Sequence, residues 1–262
     1  MSAQERLEAM RWLLTKAAKK YKNPGILEMP LNLEDRGNEN KILKQYSMCY
    51  PMGDSYFKDL TGPDWTFVNW PTANIKSYTF SSNLIRVKSF LPPKVNKIFW
   101  AGNIHSPLND VLESQTRPRL LKIGNDHIED FDIRNISPQY GQIPKKDLNY
   151  LAIHNITKYK CLIDIGGNGY SGRLKYLMFS KRPILLVNRK YVEYFYDELI
   201  PFKHFIPVKQ DLSDLIQMSN WSRKHQIEAK KIAINMYNFA VKNFSQSKLL
   251  ERINFVYEKN FS

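Results

Sequence analysis

Residues 163–175 read IDIGGNGYSGRLK, an apolar run that is followed by closely spaced glycines and then by a serine. The pattern predicts a strand that ends at Ile165, a tight turn over Gly166 to Gly169, and a helix that begins at Ser171. Free N–H groups and the positive end of that helix would face an anion. We interpret the segment as the phosphate-binding turn of an α/β fold.

Two basic residues, Arg173 and Lys175, follow in the first turn of the predicted helix. Cations do not stabilise this end of a helix dipole, so a bound diphosphate would explain them. The spacing fits neither a P-loop nor a dinucleotide fingerprint. The alternative is a glycine-rich turn with Ser171 as an ordinary N-cap and solvated basic side chains. The predicted donor-binding set here is Gly167, Tyr170, Ser171, Arg173 and Lys175.

Strands and helices alternate on both sides of this turn, which predicts a parallel sheet. The predicted strands are 97–102, 120–123, 161–165, 183–187 and 205–208, and the predicted helices between them are 171–179 and 191–196. Asp211 is predicted to N-cap a helix from Leu212, and residues 221–244 and 246–257 have helical spacing.

A second strand-turn-helix step lies at residues 100–107, WAGNIHSP. The turn would bring the N–H of Gly102, the neighbouring Asn103 and the hydroxyl of Ser106 to the same ligand. The alternative is a plain connection, with Ser106 as N-cap and Pro107 at the first helical position.

The N-terminal region contributes one candidate catalytic group, Asp35. Residues 4–21 have the spacing of an amphipathic helix, and 26–33 are predicted to form a strand that ends just before Asp35. An aspartate in a turn is also a common capping residue, and Asp54, Asp59 and Asp64 have similar standing. Residues 46–93 are rich in aromatic residues, Pro and Gly, which favours short strands and loops over helices.

Composition indicates a globular protein that is soluble and cytoplasmic, because no signal peptide or apolar membrane span is visible. The net charge of +14 suggests anionic partners, such as a nucleotide or an anionic membrane surface. Nucleic acid is not expected, since no zinc finger, RNP-type strand or basic heptad is present. The five histidines and two cysteines lack ligand spacing, so no metal site is predicted.

Residues 159–215 resemble the signature of glycosyltransferase family 90, which includes protein O-glucosyltransferases and capsule-associated, lipopolysaccharide-modifying proteins. The motifs that carry the resemblance are Ser171-x-Arg173-x-Lys175, Phe195-Tyr196, residues 201–205 (PFKHF) and Pro207-Val208-Lys209 with Asp211-Leu212. Upstream, residues 99–102, 62–67 and 32–35 resemble three further family segments. Ala101 and Glu34 each stand where the family usually has Arg.

The resemblance implies a GT-B fold with two Rossmann-like domains and a C-terminal crossover helix. It divides the chain into an acceptor-side domain (1–92), a nucleotide-sugar donor domain (93–243) and a helix that packs back on the N-terminal domain (244–262). It also implies inversion at the sugar, no metal requirement, UDP-glucose or UDP-xylose as donor, Asp35 as general base and Asp211 in the donor site.

The sequence thus predicts a transferase that moves xylose or glucose from a UDP-sugar to a hydroxyl group of a glycan acceptor. It would need no cofactor, since the UDP-sugar is a co-substrate. Two alternatives stay open: a protein O-glycosyltransferase, and a catalytically inactive protein of the same fold that binds polyanions or nucleic acid.

Overall fold

A five-stranded parallel sheet forms the centre of the computed structural model, which describes residues 2–37, 39–104, 111–137 and 144–262. The chain has seven named strands in these ranges: β1 (Tyr50–Pro51), β2 (Val95–Gly102), β3 (Phe131–Asn135), β4 (Tyr159–Asp164), β5 (Ile184–Val187), β6 (Tyr191–Val192) and β7 (Ile206–Val208). The sheet has the order β3-β2-β4-β5-β7, while β1 and β6 form a separate antiparallel pair.

This strand order creates a topological switch point between β2 and β4. The chain runs from β2 to β3 on one side and then crosses to β4 on the other side of β2. Connections leave the carboxyl ends of β2 and β4 in opposite directions, so a crevice opens between them. Open α/β sheets bind their ligands at such a crevice.

Eight α-helices surround the sheet in the described ranges: α1 (Ala3–Tyr21), α2 (Ser55–Asp59), α3 (Tyr78–Lys88), α4 (Val111–Asp126), α5 (Leu174–Leu177), α6 (Leu215–Lys224), α7 (Gln226–Asn243) and α8 (Gln246–Asn260). Short 3-10 helices include Pro24–Glu28, Ile153–Lys158 and Met178–Ser180. None of the described helices combines the length and apolar character that crossing a bilayer requires.

Both faces of the sheet are buried, as a parallel sheet requires. Along β2, Ile98 and Trp100 pack with Leu120 of α4 on one face, while Phe99 points to the other face. There it stacks on Tyr159, with ring centroids 4.3 Å apart. The alternating side chains therefore fix the strand register against two helical layers.

The first and last helices pack against each other. A capping box between Ser2 and Glu5 starts α1, and Leu13 lies in one apolar cluster with Ile253 of α8. Lys20 Nζ also donates a hydrogen bond to Ser247 Oγ at 2.8 Å. Helix α8 thus buries the inner face of α1.

The predicted α/β class with a parallel sheet is confirmed, but all five strands of the sheet lie within residues 95–208. Among the described residues, 2–92 add only β1 and isolated bridges, so a second Rossmann-like sheet is absent there. The predicted strand at 26–33 instead begins as a 3-10 helix, because Pro24 occupies its first turn and Asn23 caps Gly25 N–H.

Other local predictions were also wrong, including the helix start at Ser171, since α5 begins at Leu174. Residues 120–123 belong to α4, where Thr116 and Leu120 are buried one turn apart. Residues 191–196 contain β6 and the start of a 3-10 helix in place of an α-helix. The aromatic region 46–93 contains α2 and α3, which Asp54 and Ser77 start by accepting backbone N–H groups.

Candidate functional site

A cavity of about 320 Å³ opens at the switch point. Gly102, the last residue of β2, and Asn103 form one edge, and residues 167–168 and 170–173, which follow β4, form the other. This is the crevice that the strand order predicts. The cavity is large enough for a small-molecule ligand.

The turn after β4 is held from below by a buried carboxylate, Asp164. Ser171 Oγ donates to Asp164 Oδ1 at 2.7 Å, and Gly167 N donates to Tyr170 O at 3.0 Å. Ser171 lines the cavity, but this hydrogen bond already uses its hydroxyl proton. The turn is therefore ordered by its own bonds before any ligand binds.

Three guanidinium groups converge around Asp164. Arg189 donates to Asp164 Oδ2 at 2.6 Å, and Arg173 Nε lies 3.8 Å from Oδ1. Arg173 also donates to the carbonyl of Ala101, which ties the two turns together. Arg117 completes the group, and one carboxylate cannot balance three cations, so the site has positive charge available for an anion.

Arg117 reaches the site from α4 and bonds to both turns. Its Nε donates to Gly166 O at 3.0 Å and its Nη1 to Asn103 O at 2.7 Å. Burial, with a smaller contribution from the charge of Arg173, lowers the pKa of Arg117 to about 10. Arg117 is still protonated at neutral pH, and a bound anion would offset part of its desolvation cost.

Asp35 also lines this cavity. Its Oδ1 lies 2.9 Å from Arg6 Nη1 of α1, and its Oδ2 accepts a hydrogen bond from Asn168 Nδ2 at 3.4 Å. The backbones also touch: a Cβ on Gly169 would lie only 1.7 Å from Asp35 O. The predicted base and the glycine turn, more than 130 residues apart, are therefore direct neighbours.

Two tryptophans form an aromatic wall beside Asp35. The rings of Trp65 and Trp70 meet edge to face, with centroids 6.1 Å apart, and both line the cavity. The Arg6 guanidinium lies 5.1 Å from the Trp65 ring centroid. Such flat apolar surfaces next to polar groups suit the faces of a sugar ring.

The structure does not bring Lys175 to the cavity. Its side chain is fully buried, and its Nζ lies 2.8 Å from Asp64 Oδ1, 2.7 Å from Thr66 Oγ1 and 3.5 Å from Glu193 Oε1. Asp64 also accepts a hydrogen bond from the Tyr170 hydroxyl. Lys175 and Tyr170 thus anchor the turn from beneath, and only Tyr170 reaches the cavity lining.

Two other predicted donor residues are not part of the described cavity. Asp211 lies outside its lining, where its Oδ1 accepts from Ser213 N at 3.0 Å. The helix that it was predicted to cap begins at Leu215, with Asp214 in the cap position. Ser106 lies outside the described residues. Within those residues, no cluster of three metal-ligating side chains occurs.

Sequence reasoning missed Arg6, Arg117 and the Asp164–Arg189 ion pair. Asp164 was visible as a charged residue inside an apolar strand, which is a signal of a buried partner. No neighbouring sequence motif identifies Arg6 or Arg117 as a site residue, since each reaches the site from a helix that is distant in sequence from the turn that it contacts.

Comparison with known proteins assigns the chain to a family. Residues 2–253 match the profile described as Glycosyl transferase family 90, so the chain belongs to that family. It is 31% identical over 147 residues to Protein O-glucosyltransferase 2 of Danio rerio, covering 56% of this chain and 29% of the relative. It is 25% identical over 236 residues to Protein O-glucosyltransferase 1 of Rattus norvegicus, covering 85% and 59%. The chain thus spans less than two thirds of these relatives.

Two solved structures are similar in part. Anabaena HepE in complex with UDP-glucose has a TM-score of 0.40 and 10% identity, over 68% of this chain and 44% of HepE. A glycosyltransferase from Rickettsia africae has a TM-score of 0.37 and 14% identity, over 95% of this chain and 52% of its own. The α/β fold class is established by the five-stranded parallel sheet of this chain.

Proposed function

We propose that this chain is an inverting glycosyltransferase that moves glucose or xylose from a UDP-sugar to a hydroxyl group of a glycan acceptor. The observation that carries the proposal is a single cavity whose lining holds the guanidinium groups of Arg117 and Arg173 together with the carboxylate of Asp35. Membership of family 90 supports the reaction class.

The diphosphate would bind at the guanidinium groups. Arg173 would face the β-phosphate, and Arg117 would add a second guanidinium beside the turn after β2. Ala101 stands where the family usually has Arg, and its carbonyl accepts from Arg173. Arg117, which extends from α4, would therefore supply a positive charge close to Ala101, where the usual Arg is missing.

In the transfer step, Asp35 would take the proton from the acceptor hydroxyl as its oxygen attacks the anomeric carbon. The new carbon–oxygen bond forms while the bond to the β-phosphate oxygen breaks, and UDP leaves with the electron pair. Attack from the face opposite UDP inverts the anomeric centre. Arg6 would orient the Asp35 carboxylate through their ion pair.

The reaction would need no metal ion, because the leaving group gains its negative charge beside two guanidinium groups. Fixed cations in a site from which water is largely excluded stabilise such charge without a divalent ion. A chelator should therefore leave the rate unchanged.

The names of the relatives favour a second acceptor class, a hydroxyl group on a protein. The aromatic wall of Trp65 and Trp70 supports a sugar acceptor instead, because a ring face can pack on it. Paired transfer assays with oligosaccharides and with folded protein domains, using the same donor, would decide between the two classes.

The first experiment measures UDP release from UDP-glucose, UDP-xylose and UDP-galactose with EDTA present. Wild type is compared with Asp35→Asn and Arg173→Ala, and Glu34→Gln serves as control because this exposed neighbouring carboxylate lies outside the cavity lining. Removing Arg173 should slow turnover about a hundred-fold or more. Asp35→Asn should abolish transfer while UDP affinity stays near wild type.

Absence of UDP binding by wild type would refute the proposal. Salt-dependent binding to DNA without UDP binding would instead support an inactive polyanion-binding protein. Equal losses in Asp35→Asn and Glu34→Gln would exclude a specific role for Asp35.

A further inference from the structure

A second cavity, of about 520 Å³, lies at the opposite end of the sheet. Its floor contains Ile98 and Cys161, in the amino-terminal halves of β2 and β4, and Pro183, just before β5. Lys160, at its edge, is four residues before Asp164 along β4, a rise of about 13 Å. This cavity is therefore separate from the proposed donor site.

One wall is an exposed apolar loop, in which the side chains of Phe90 and Leu91 are 72% and 59% exposed. Arg182 holds this loop in place, since its buried guanidinium donates to Leu91 O and to Thr157 O. Lys181 Nζ lies 3.4 Å from the Phe90 ring centroid. The cavity is thus formed in advance, which reduces the entropy cost of binding.

The charged residues that line this cavity are all basic. Its lining contains no Asp or Glu and six basic residues: Lys97, Lys160, Lys181, Arg182, Arg223 and Lys230. In the part of the chain that the structure describes, no ion pair involves Lys160, Lys181 or Lys230. Arg223 pairs with Asp130, yet its buried Nη2 has no hydrogen-bond partner in the same ranges.

We propose that this cavity binds an amphipathic anion, a molecule with one apolar chain and a phosphate or carboxylate head. The apolar tail of this ligand would lie on the floor of the cavity against Ala229 and Ile234 of α7, where burial removes apolar surface from water. The head would remain at the rim among the lysines. An anion without an apolar tail would not cover the floor of the cavity. A neutral molecule with an apolar tail would offer no negative charge to the lysines at the rim.

Titration calorimetry on the full chain tests the proposal, with dodecyl phosphate below its critical micelle concentration as probe. We expect saturable binding with a stoichiometry of about one. Inorganic phosphate and dodecyl maltoside, which supply the head or the chain alone, should bind at least tenfold more weakly. UDP should not displace the probe, because it occupies the other end of the sheet.

Charge reversal locates the site. Lys160→Glu combined with Lys230→Glu should weaken binding about tenfold or more, since two attractions become repulsions. The matched control combines Lys231→Glu and Lys242→Glu, two exposed residues of α7 outside the cavity. Circular dichroism checks folding, and Lys230→Glu alone, on an exposed helix position, gives a second measurement.

Equal weakening by the control pair would overturn the proposal, because binding would then reflect overall charge. No saturable binding of dodecyl phosphate would also overturn it, as would binding only to vesicles of anionic phospholipid. The last result would assign the basic rim to a membrane surface in place of a bound single-chain ligand.

Discussion

Arg117 is the residue whose removal tests the guanidinium groups of the cavity most directly, since it bonds to both turns. Arg117→Met should weaken UDP binding at pH 7 by roughly ten- to a hundred-fold, the worth of a hydrogen bond to a charged group. Arg11→Met, an exposed arginine of α1, should bind UDP as wild type does. Calorimetry measures both variants, and an unchanged affinity in Arg117→Met would remove Arg117 from the donor site.

The same side chain predicts a pH dependence. Only the protonated guanidinium attracts a diphosphate, and burial lowers the pKa of Arg117 to about 10. The affinity of wild type for UDP should therefore fall as the pH rises through about 10. Arg117→Met should lack that part of the fall, so the ratio of the two dissociation constants should shrink between pH 8 and pH 11. A constant ratio would contradict the assignment.

Glu193 predicts a pH effect on stability. Burial raises its pKa to about 7, because neither carboxylate oxygen has a hydrogen-bond partner among the described residues, and the attraction of Lys175 offsets this only partly. The folded chain therefore holds this proton more tightly than the unfolded chain. The contribution of Glu193 to the free energy of unfolding is full below about pH 4.5 and is lost as the pH rises through about 7.

Glu193→Gln has no such titration, so its stability relative to wild type should increase from pH 5 to pH 8. The change should be on the order of 1 kcal/mol or more. Urea unfolding at the two pH values measures it. A difference between variant and wild type that does not vary with pH would mean that Glu193 is ionised throughout.

Individual residues show where sequence reasoning reaches its limit. The glycine turn was visible because its signal is local: apolar strand, glycines, hydroxyl residue. The environment of Lys175 could not be predicted, because its partner Asp64 lies 111 positions away. Sequence spacing does not show that Asp64 lies under the turn. Arg6 was missed for the same reason, since only the packing of α1 brings it to Asp35.

The contact between the glycine turn and the Asp35 segment makes Gly169 sensitive to a single methyl group. A Cβ there would overlap Asp35 O, a backbone atom that can move only with its whole segment. Gly169→Ala should therefore displace Asp35 and lower the transfer rate tenfold or more, with little change in UDP affinity.

Gly53→Ala is the matched control. No atom lies within 4 Å of a Cβ at Gly53, although its φ of +90° adds a backbone cost of about 1 kcal/mol. It should lose some thermal stability and keep the transfer rate. If Gly169→Ala retained the wild-type rate, the spacing between turn and base would not matter.

Strands and helices were predicted correctly from the sequence where the hydrophobic periodicity agrees with the burial that the structure shows. Strands β5 and β7 are continuous apolar runs, β2 and β4 have apolar centres, and each of the four was predicted to within two residues at either end. Helix α3 was missed because aromatic residues and a flanking Pro-rich stretch hid its serine cap. Strand β3 was missed because its sequence, FDIRN, carries two charges that pair with each other.

The packing of α8 on α1 predicts how the whole molecule responds to a cavity in that interface. Ile253 is fully buried there, and Ile253→Ala should cost about 2–5 kcal/mol. The melting temperature should fall by roughly 5–15 °C. Ile227→Ala, at a position 84% exposed on α7, should change it little. Similar melting temperatures for the two variants would show that the two helices do not stabilise each other.

The partnership of these two helices also sets an order of events during synthesis. Helix α1, which brings Arg6 to Asp35, leaves the ribosome early, while its partner α8 is made more than two hundred residues later. At bacterial or eukaryotic translation speeds that interval is roughly 10 to 45 s. Throughout it the apolar face of α1 has no partner from α8. Until translation has passed residue 246, the α1 face that α8 covers in the folded protein stays open, and chaperones that bind apolar helices have that interval in which to bind α1.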